Sequence, residues 1–242
     1  MPKTFQEAIL VSRELRIRYL WIDSLCIMQD RDDLSDWARE ASLMYKVYSN
    51  SYCNISAPDS SDGTHGLGRD CTTLELEPER IEIHHENASG SMVTKVYNAE
   101  KSSSWQPGLW RIHVENNVVN KRGWVFQERL LAPQVLHFAA SQLFWECREL
   151  SACEKYPKGA SIDCLPSSRF KHDLAFETYS ELDSIRIHWK WRNIVTQYTS
   201  TSVTNPNNKL VAISNIVKSV ALIVRDTYIA GMWRKNLEMQ LL

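Results

Sequence analysis

A chain of 242 residues, 43% apolar and 24% charged, can bury a core and is too hydrophobic for wholesale disorder. Its formal charge of −1 supplies no electrostatic footprint for nucleic acid or an anionic membrane. No apolar run approaches the roughly 18 residues of a bilayer span, and MPKTFQEAIL lacks the basic-then-apolar order of a signal peptide. The expectation is a cytoplasmic protein with its six cysteines reduced. Cys26, Cys53, Cys71, Cys147, Cys153 and Cys164 include no C-x-x-C pair, and His84-His85 has no partner at zinc spacing. No metal site is expected, and the thiols read as buried structural groups.

Along the chain, Thr4-Phe5-Gln6-Glu7 fits a capping box that opens a helix ending near Arg16. Phe5, Ala8, Ile9, Ser12 and Leu15 fall on one face of it. Tyr19-Leu20-Trp21-Ile22 does not alternate, so it reads as a strand covered on both faces, central in a parallel sheet. Trp37, Ala41, Met44 and Tyr48, spaced i, i+4, i+7, i+11, predict a helix, and Tyr52–Ser56 predicts the next strand. Strand, helix, strand in that order implies a right-handed crossover and a parallel pair.

Pro58 to Asp70, rich in Gly, Ser and Asp, reads as an exposed loop, and strand-like runs follow at Arg80–His84 and Met92–Tyr97. Asn98 to Asn120 carries no pattern that supports an assignment. RGWVFQERLLAP, Arg122 to Pro133, predicts a short helix stopped by proline. Val135–Phe138 and Leu143–Cys147 predict a hairpin. Cys153 to Ser168 reads as loop. Helices follow from Leu182, with His188, Trp191, Val195 and Tyr198 on one face and Leu210, Ile213, Ile216 and Val217 on another.

Ligands of open parallel sheets bind where the strands' carboxyl ends meet loops and helix starts. Asp23, Ser24, Cys26, Gln29 and Asp30 follow the predicted strand directly, so they form a candidate ligand-binding edge. The plainer alternative is that Asp23 caps a turn. Cys26 lacks a recognisable base for nucleophilic work. His137 reads as a hydrogen-bonded core histidine, Trp124 as core, and Trp145-Glu146-Cys147 as a strand with Trp145 packed and Glu146 exposed or paired. Glu128 and Arg129 form an ion pair that locks their helix to the sheet, or line the same cleft as Asp23.

YLWIDSLCIMQD, then REASLMYKVYSNSYCNISA and GLGRD, closely resembles the heterokaryon incompatibility (HET) domain of filamentous fungi. RGWVFQERLLAPQVLHF with QLFWEC resembles that family's second block, a G-W-x-x-Q-E-R segment followed by L-H-F and W-E-C. KLVAISNIVKS and YIAGMWRKNL resemble the helical region that often follows. The motif residues that carry the likeness include Trp21, Trp37, Gly123, Trp124, Gln127, Glu128, Arg129, His137 and Trp145. There are departures: the family's usual A-L-S-Y-x-W-G first strand does not precede Thr4, and Gln134 stands where the family often has Arg. The chain is therefore expected to be an N-terminally shortened member.

The resemblance implies an α/β fold, a partly parallel sheet with flanking helices distantly like that of TIR domains, then short hairpins and a C-terminal helical region. It divides the chain into a HET domain over 1–150 and a helical extension over 151–242 packed on it. It further implies a death effector in vegetative incompatibility, working with other incompatibility or receptor proteins or by self-association. The TIR likeness makes NAD a possible substrate and Glu40, three residues after Trp37, the candidate catalytic carboxylate. On a helical wheel Glu40 lies about 60° from Trp37, at the border of the apolar stripe, where a solvated flank residue is the alternative. A non-enzymatic signalling module, or an inactive paralogue, is the competing reading. Exposed aromatics near Trp105–Trp110 would favour the module.

Overall fold

The computed structural model describes residues 1–28, 30, 32–60, 63–67, 79–86, 89–99, 108, 110–159, 171 and 184–241. Helix α1 (Lys3–Glu14) buries Ala8 and Ser12 and ends where Arg16 takes a left-handed conformation. Its start is not a capping box. Pro2 occupies the cap position with no side-chain hydrogen bond. The Thr4 hydroxyl instead donates to the Gly63 carbonyl at 3.1 Å, and the Glu7 carboxylate accepts from the Leu67 amide. Both side chains satisfy the backbone of a loop far along the chain.

Tyr19–Ile22 is extended at Ile22 (φ −132°, ψ 120°) but pairs with no strand among the described residues, and Tyr19 is 81% exposed. The predicted central strand is therefore corrected to an extended segment, because an apolar run becomes a strand only where a ladder partner exists. A one-turn helix α2 (Asp23–Cys26) follows it. Helix α3 (Ser35–Ser49) confirms the predicted stripe, with Ala41, Met44 and Tyr48 buried.

Strand β1 (Asn54–Ser56) pairs in parallel with β4 (Gln134–Phe138), Ile55 opposite Leu136. The predicted parallel relation thus exists with a different partner. Antiparallel β5 (Leu143–Cys147) and β6 (Ser151–Cys153) complete a sheet of order β1-β4-β5-β6 among the described residues. A separate hairpin, β2 (Glu79–Glu86) with β3 (Met92–Ala99), matches the two strand-like runs. The stretch without a sequence signal holds a π-helical turn at Arg111–Glu115 and a 3-10 turn at Val119–Lys121. Trp105 lies outside the described residues. Trp110 is 1% exposed and packs edge-on against Phe144, so this position presents no aromatic surface.

Helix α4 (Gly123–Leu131) ends before Pro133 as predicted. Gly123 is needed for close approach, since a Cβ there would lie 2.6 Å from a Val203 methyl. Helices α5 (Ser184–Thr199) and α6 (Lys209–Val224) form the C-terminal region. Leu210, predicted on the buried face, is exposed at the first turn of α6, while Ile213, Ile216 and Val217 are buried. By length and composition alone Pro206–Val224 could cross a bilayer, but its Ile213–Ile216–Val220 face lies in the core. The short strands β7 (Tyr228–Ile229) and β8 (Met232–Trp233) and the turn of helix α7 (Leu237–Gln240) close the chain.

One apolar cluster joins Met44 and Tyr48 of α3, Phe126 and Leu130 of α4, Trp191 and Ile194 of α5, Ile216 of α6 and Trp233. The rings of Trp191, Tyr228 and Trp233 meet edge to face at 5.3–5.7 Å, an arrangement that aromatic quadrupoles favour. The fold is thus mixed α/β, with a partly parallel sheet, flanking helices, short hairpins and C-terminal helices.

Candidate functional site

A cleft of about 640 Å³ lies between α1, the Tyr19–Ile22 segment and β1, with Val47 and Tyr48 of α3 and Glu128 of α4 also in its wall. Phe5, Ala8, Leu20, Ile22 and Ile55 make much of it apolar. Trp21 stands edge-on to Tyr48 with ring centroids 5.6 Å apart, and Asp23 and Glu128 bring two carboxylates to the same wall.

Glu128 is the perturbed group. Burial pushes its carboxyl up to about 7, and the negative charge of Asp23 pushes the same way. A hydrogen bond from the Tyr48 hydroxyl and the charge of Arg122 oppose the rise without cancelling it. Tyr48 is itself raised far above the ordinary phenol, first by burial and then by Glu128 and Asp23. A carboxyl that changes protonation near neutrality, next to a second carboxylate in a cleft, has the character of an acid–base group.

The remaining candidates are dispersed. Ser24 and Cys26 are exposed and lie outside the cleft wall; the Ser24 amide donates to Asp23 Oδ1 at 2.7 Å. That bond is a local contact to the adjacent amide and not a cap, since Ile22 holds the cap position of α2 without a side-chain bond. Asp30 accepts from the Asp32 amide at 2.9 Å within a turn, and Gln29 lies outside the described residues. Glu40 is not in the cleft wall; it is half-buried and its Oε1 accepts from Arg39 Nε at 3.1 Å. The structure thus brings Asp23 together with Glu128 and not with Glu40. Of the four described cysteines, Cys153 is buried, Cys53 and Cys147 are half-buried and Cys26 is exposed, so Cys26 departs from the buried-thiol expectation.

Behind the cleft, Glu128 and Arg129 part company. Consecutive helix positions point about 100° apart, so Glu128 enters the cleft while Arg129 turns to the sheet. Arg129 Nε donates to Glu146 Oε2 at 2.8 Å, and His137 Nε2 meets the same oxygen at 3.2 Å. Lys171 Nζ donates to the carbonyls of Arg129 and Ala132. Burial favours neutral Glu146, yet Arg129 and the His137 hydrogen bond outweigh it and hold the carboxyl down at about 2. Burial pulls His137 down despite Glu146, and pulls Lys171 down to about 8. The helix is therefore locked to the sheet by Arg129 with Glu146, not by Arg129 with Glu128. Glu146 is buried and paired, one of its two expected outcomes, while Trp145, expected packed, is half-buried, because the inward face carries the partner for the carboxylate.

Three other motif residues are structural. Gln127, fully buried, accepts from Asn215 Nδ2 at 3.3 Å; Asn215 also donates to the Ala41 carbonyl at 2.9 Å and so ties α3, α4 and α6 together. Trp37 and Trp124 meet edge to face at 6.0 Å, both half-buried. Sequence reading did not single out Asn215, although it lies within the KLVAISNIVKS block, nor Lys171, whose neighbours carry no motif. Among the described residues no group of three or more His, Cys, Asp or Glu is placed to hold a metal.

These features define a mixed α/β protein with a candidate cleft between a helix, a sheet edge and two carboxylates. The family model described as Heterokaryon incompatibility protein (HET) matches residues 1–128, more than half of the chain, and the chain belongs to that family. The matched residues run from α1 to Glu128 and so include every wall of the cleft. No curated protein and no solved structure matches the chain. Family membership associates the protein with heterokaryon incompatibility in fungi.

Proposed function

We propose that the protein is a cytoplasmic effector that promotes programmed cell death on non-self recognition, together with receptor or other incompatibility proteins, by cleaving NAD at the Asp23–Glu128 side of the cleft. The observation that carries this reading is the pair of carboxylates in one cleft wall, with burial and Asp23 pushing Glu128 up to about 7. Loss of nicotinamide from NAD leaves an oxocarbenium-like ribose, which a fixed carboxylate stabilises electrostatically. A second carboxyl able to exchange a proton near neutrality can then activate the attacking water. Neither step needs a metal. Trp21, edge-on to Tyr48, supplies an aromatic surface for a flat ring.

The test is nicotinamide release from NAD by wild type, Glu128→Gln and Glu40→Ala, each first shown to unfold cooperatively. Release by wild type and Glu40→Ala, with at least a hundredfold loss in Glu128→Gln, is expected. Loss in Glu40→Ala with release retained in Glu128→Gln would move the chemistry to α3. No release from folded wild type would leave a non-enzymatic signalling module as the better account.

A further inference from the structure

Three torsions separate a glutamate carboxylate from its backbone, so it serves well as a base only where a second group fixes it. Glu128 cannot be fixed from its own helix. Arg129, the next residue, bonds to Glu146 on the sheet side, and Arg122, exposed before the first turn of α4, acts on Glu128 through its charge alone. Asp23 of α2 repels it. Among the described groups that act on Glu128, namely Asp23, Tyr48 and Arg122, Tyr48 is the one that hydrogen-bonds to it. Trp21, Asp23, Tyr48 and Glu128 all line the same cleft.

Tyr48 is built to hold still. Its ring is 9% exposed, belongs to the apolar cluster with Met44, Phe126 and Leu130, and meets Trp21 edge-on at 5.6 Å, so close packing leaves it no room to swing. Burial, then the charges of Glu128 and Asp23, raise the phenol far above its ordinary range, so it stays a donor throughout the neutral range. A hydrogen bond donated to an ionised carboxylate favours that form. The hydroxyl therefore opposes burial and Asp23, both of which favour the neutral carboxyl. Without it Glu128 would keep its proton at neutral pH and could not take one from water.

We infer that Tyr48 is the positioning residue of this site: its hydroxyl, held by the core and by the edge of Trp21, fixes the Glu128 carboxylate in the cleft wall as the base for the attacking water. This role rests on the reading of the cleft as a site of NAD cleavage. Tyr48 touches neither the water nor the ribose in it and acts through Glu128.

The experiment compares wild type with Tyr48→Phe, which keeps the ring and removes the hydroxyl, in two readouts. The first is the pH profile of kcat/KM for nicotinamide release from NAD. The second is carbon-13 NMR of protein labelled at its glutamate carboxyls, where the Glu128 signal is the one missing from Glu128→Gln. Glu128 should titrate near 7 in wild type and about one pH unit higher in Tyr48→Phe. The acid limb of the profile should move up with it, which lowers release roughly eightfold at pH 6.5. A merely structural loss would lower the rate equally at every pH, so a limb that stays in place would overturn the inference. The carboxyl signal needs no turnover and separates the two claims. No release by folded wild type removes the enzymatic reading, whereas an unmoved Glu128 signal in Tyr48→Phe removes the hold of Tyr48 on Glu128 whether or not nicotinamide is released. If Tyr48→Phe does not melt cooperatively, wild type decides. The Tyr48 Cζ signal, assigned through its contact with the Trp21 ring, should then shift with the same midpoint as Glu128, and a Tyr48 signal that does not follow Glu128 would overturn the inference.

Discussion

Replacing Glu146 by Gln removes one charge from a carboxylate that is 2% exposed and bonded to Arg129 at 2.8 Å. Its folded value of about 2 lies below the ordinary 4.5. At about 1.4 kcal/mol per pH unit this gap corresponds to about 3 kcal/mol of stability. The sign follows from the depression: the contribution is present above about pH 4.5 and is lost as pH falls toward 2. An independent route gives a similar size, because breaking a buried pair from one side costs about 3–5 kcal/mol through the charge left behind. Urea unfolding followed by tryptophan fluorescence at pH 7 should show Glu146→Gln less stable by about 3 kcal/mol, or roughly 6–12 °C in Tm. The difference should shrink to under about 1 kcal/mol near pH 2.5. Glu146→Leu combined with Arg129→Met should recover most of the loss, since an apolar pair of similar volume leaves no orphan charge. A difference below about 0.5 kcal/mol at pH 7, the usual scatter of surface substitutions, or one that does not change with pH, would refute the reasoning.

Glu128 has the opposite linkage: its raised value means that stability is fully present below about pH 4.5 and falls as pH rises through about 7. Glu128→Gln should therefore stabilise the fold at pH 8 by about 3 kcal/mol relative to its effect at pH 4, measured by the same urea titration; equal effects at both pH values would count against a perturbed carboxyl. Gly123→Ala should lower stability by about 1–3 kcal/mol, because the added Cβ meets a Val203 methyl at 2.6 Å. A melting temperature unchanged within about 1 °C would show that the loop after α5 yields freely.

Where local pattern and tertiary demand agreed, the sequence was readable. The stripe on α3 and the β4–β5 hairpin both came from periodicity, since burial repeats every turn or every second residue. The failures share one cause, a partner far away in the chain. Thr4 and Glu7 carry the spacing of a capping box, yet each is taken by the Gly63–Leu67 loop. Tyr19–Ile22 has the composition of a buried strand and, among the described residues, no strand beside it. Trp145, expected packed, is half-buried because Glu146 takes the inward position beside Arg129, 17 residues earlier.

The candidate site was legible in half. Asp23 was singled out at the end of an apolar run and does line the cleft, and Glu128 was already considered as a possible cleft residue. Glu40 was chosen by analogy along one helix, and its position relative to the cleft depends on how α3 is rotated against α4 and α6, which no local pattern specifies. The pairing of Glu128 with Asp23 joins residues 105 positions apart through Tyr48. Only the packed structure brings them together.

The most direct test of the account is cell death in a fungal host that expresses the wild-type chain or Glu128→Gln at matched protein abundance. The account predicts death with wild type and survival with Glu128→Gln, with Glu40→Ala as lethal as wild type. Death that persists undiminished in Glu128→Gln would contradict the claim that this cleft carries the function.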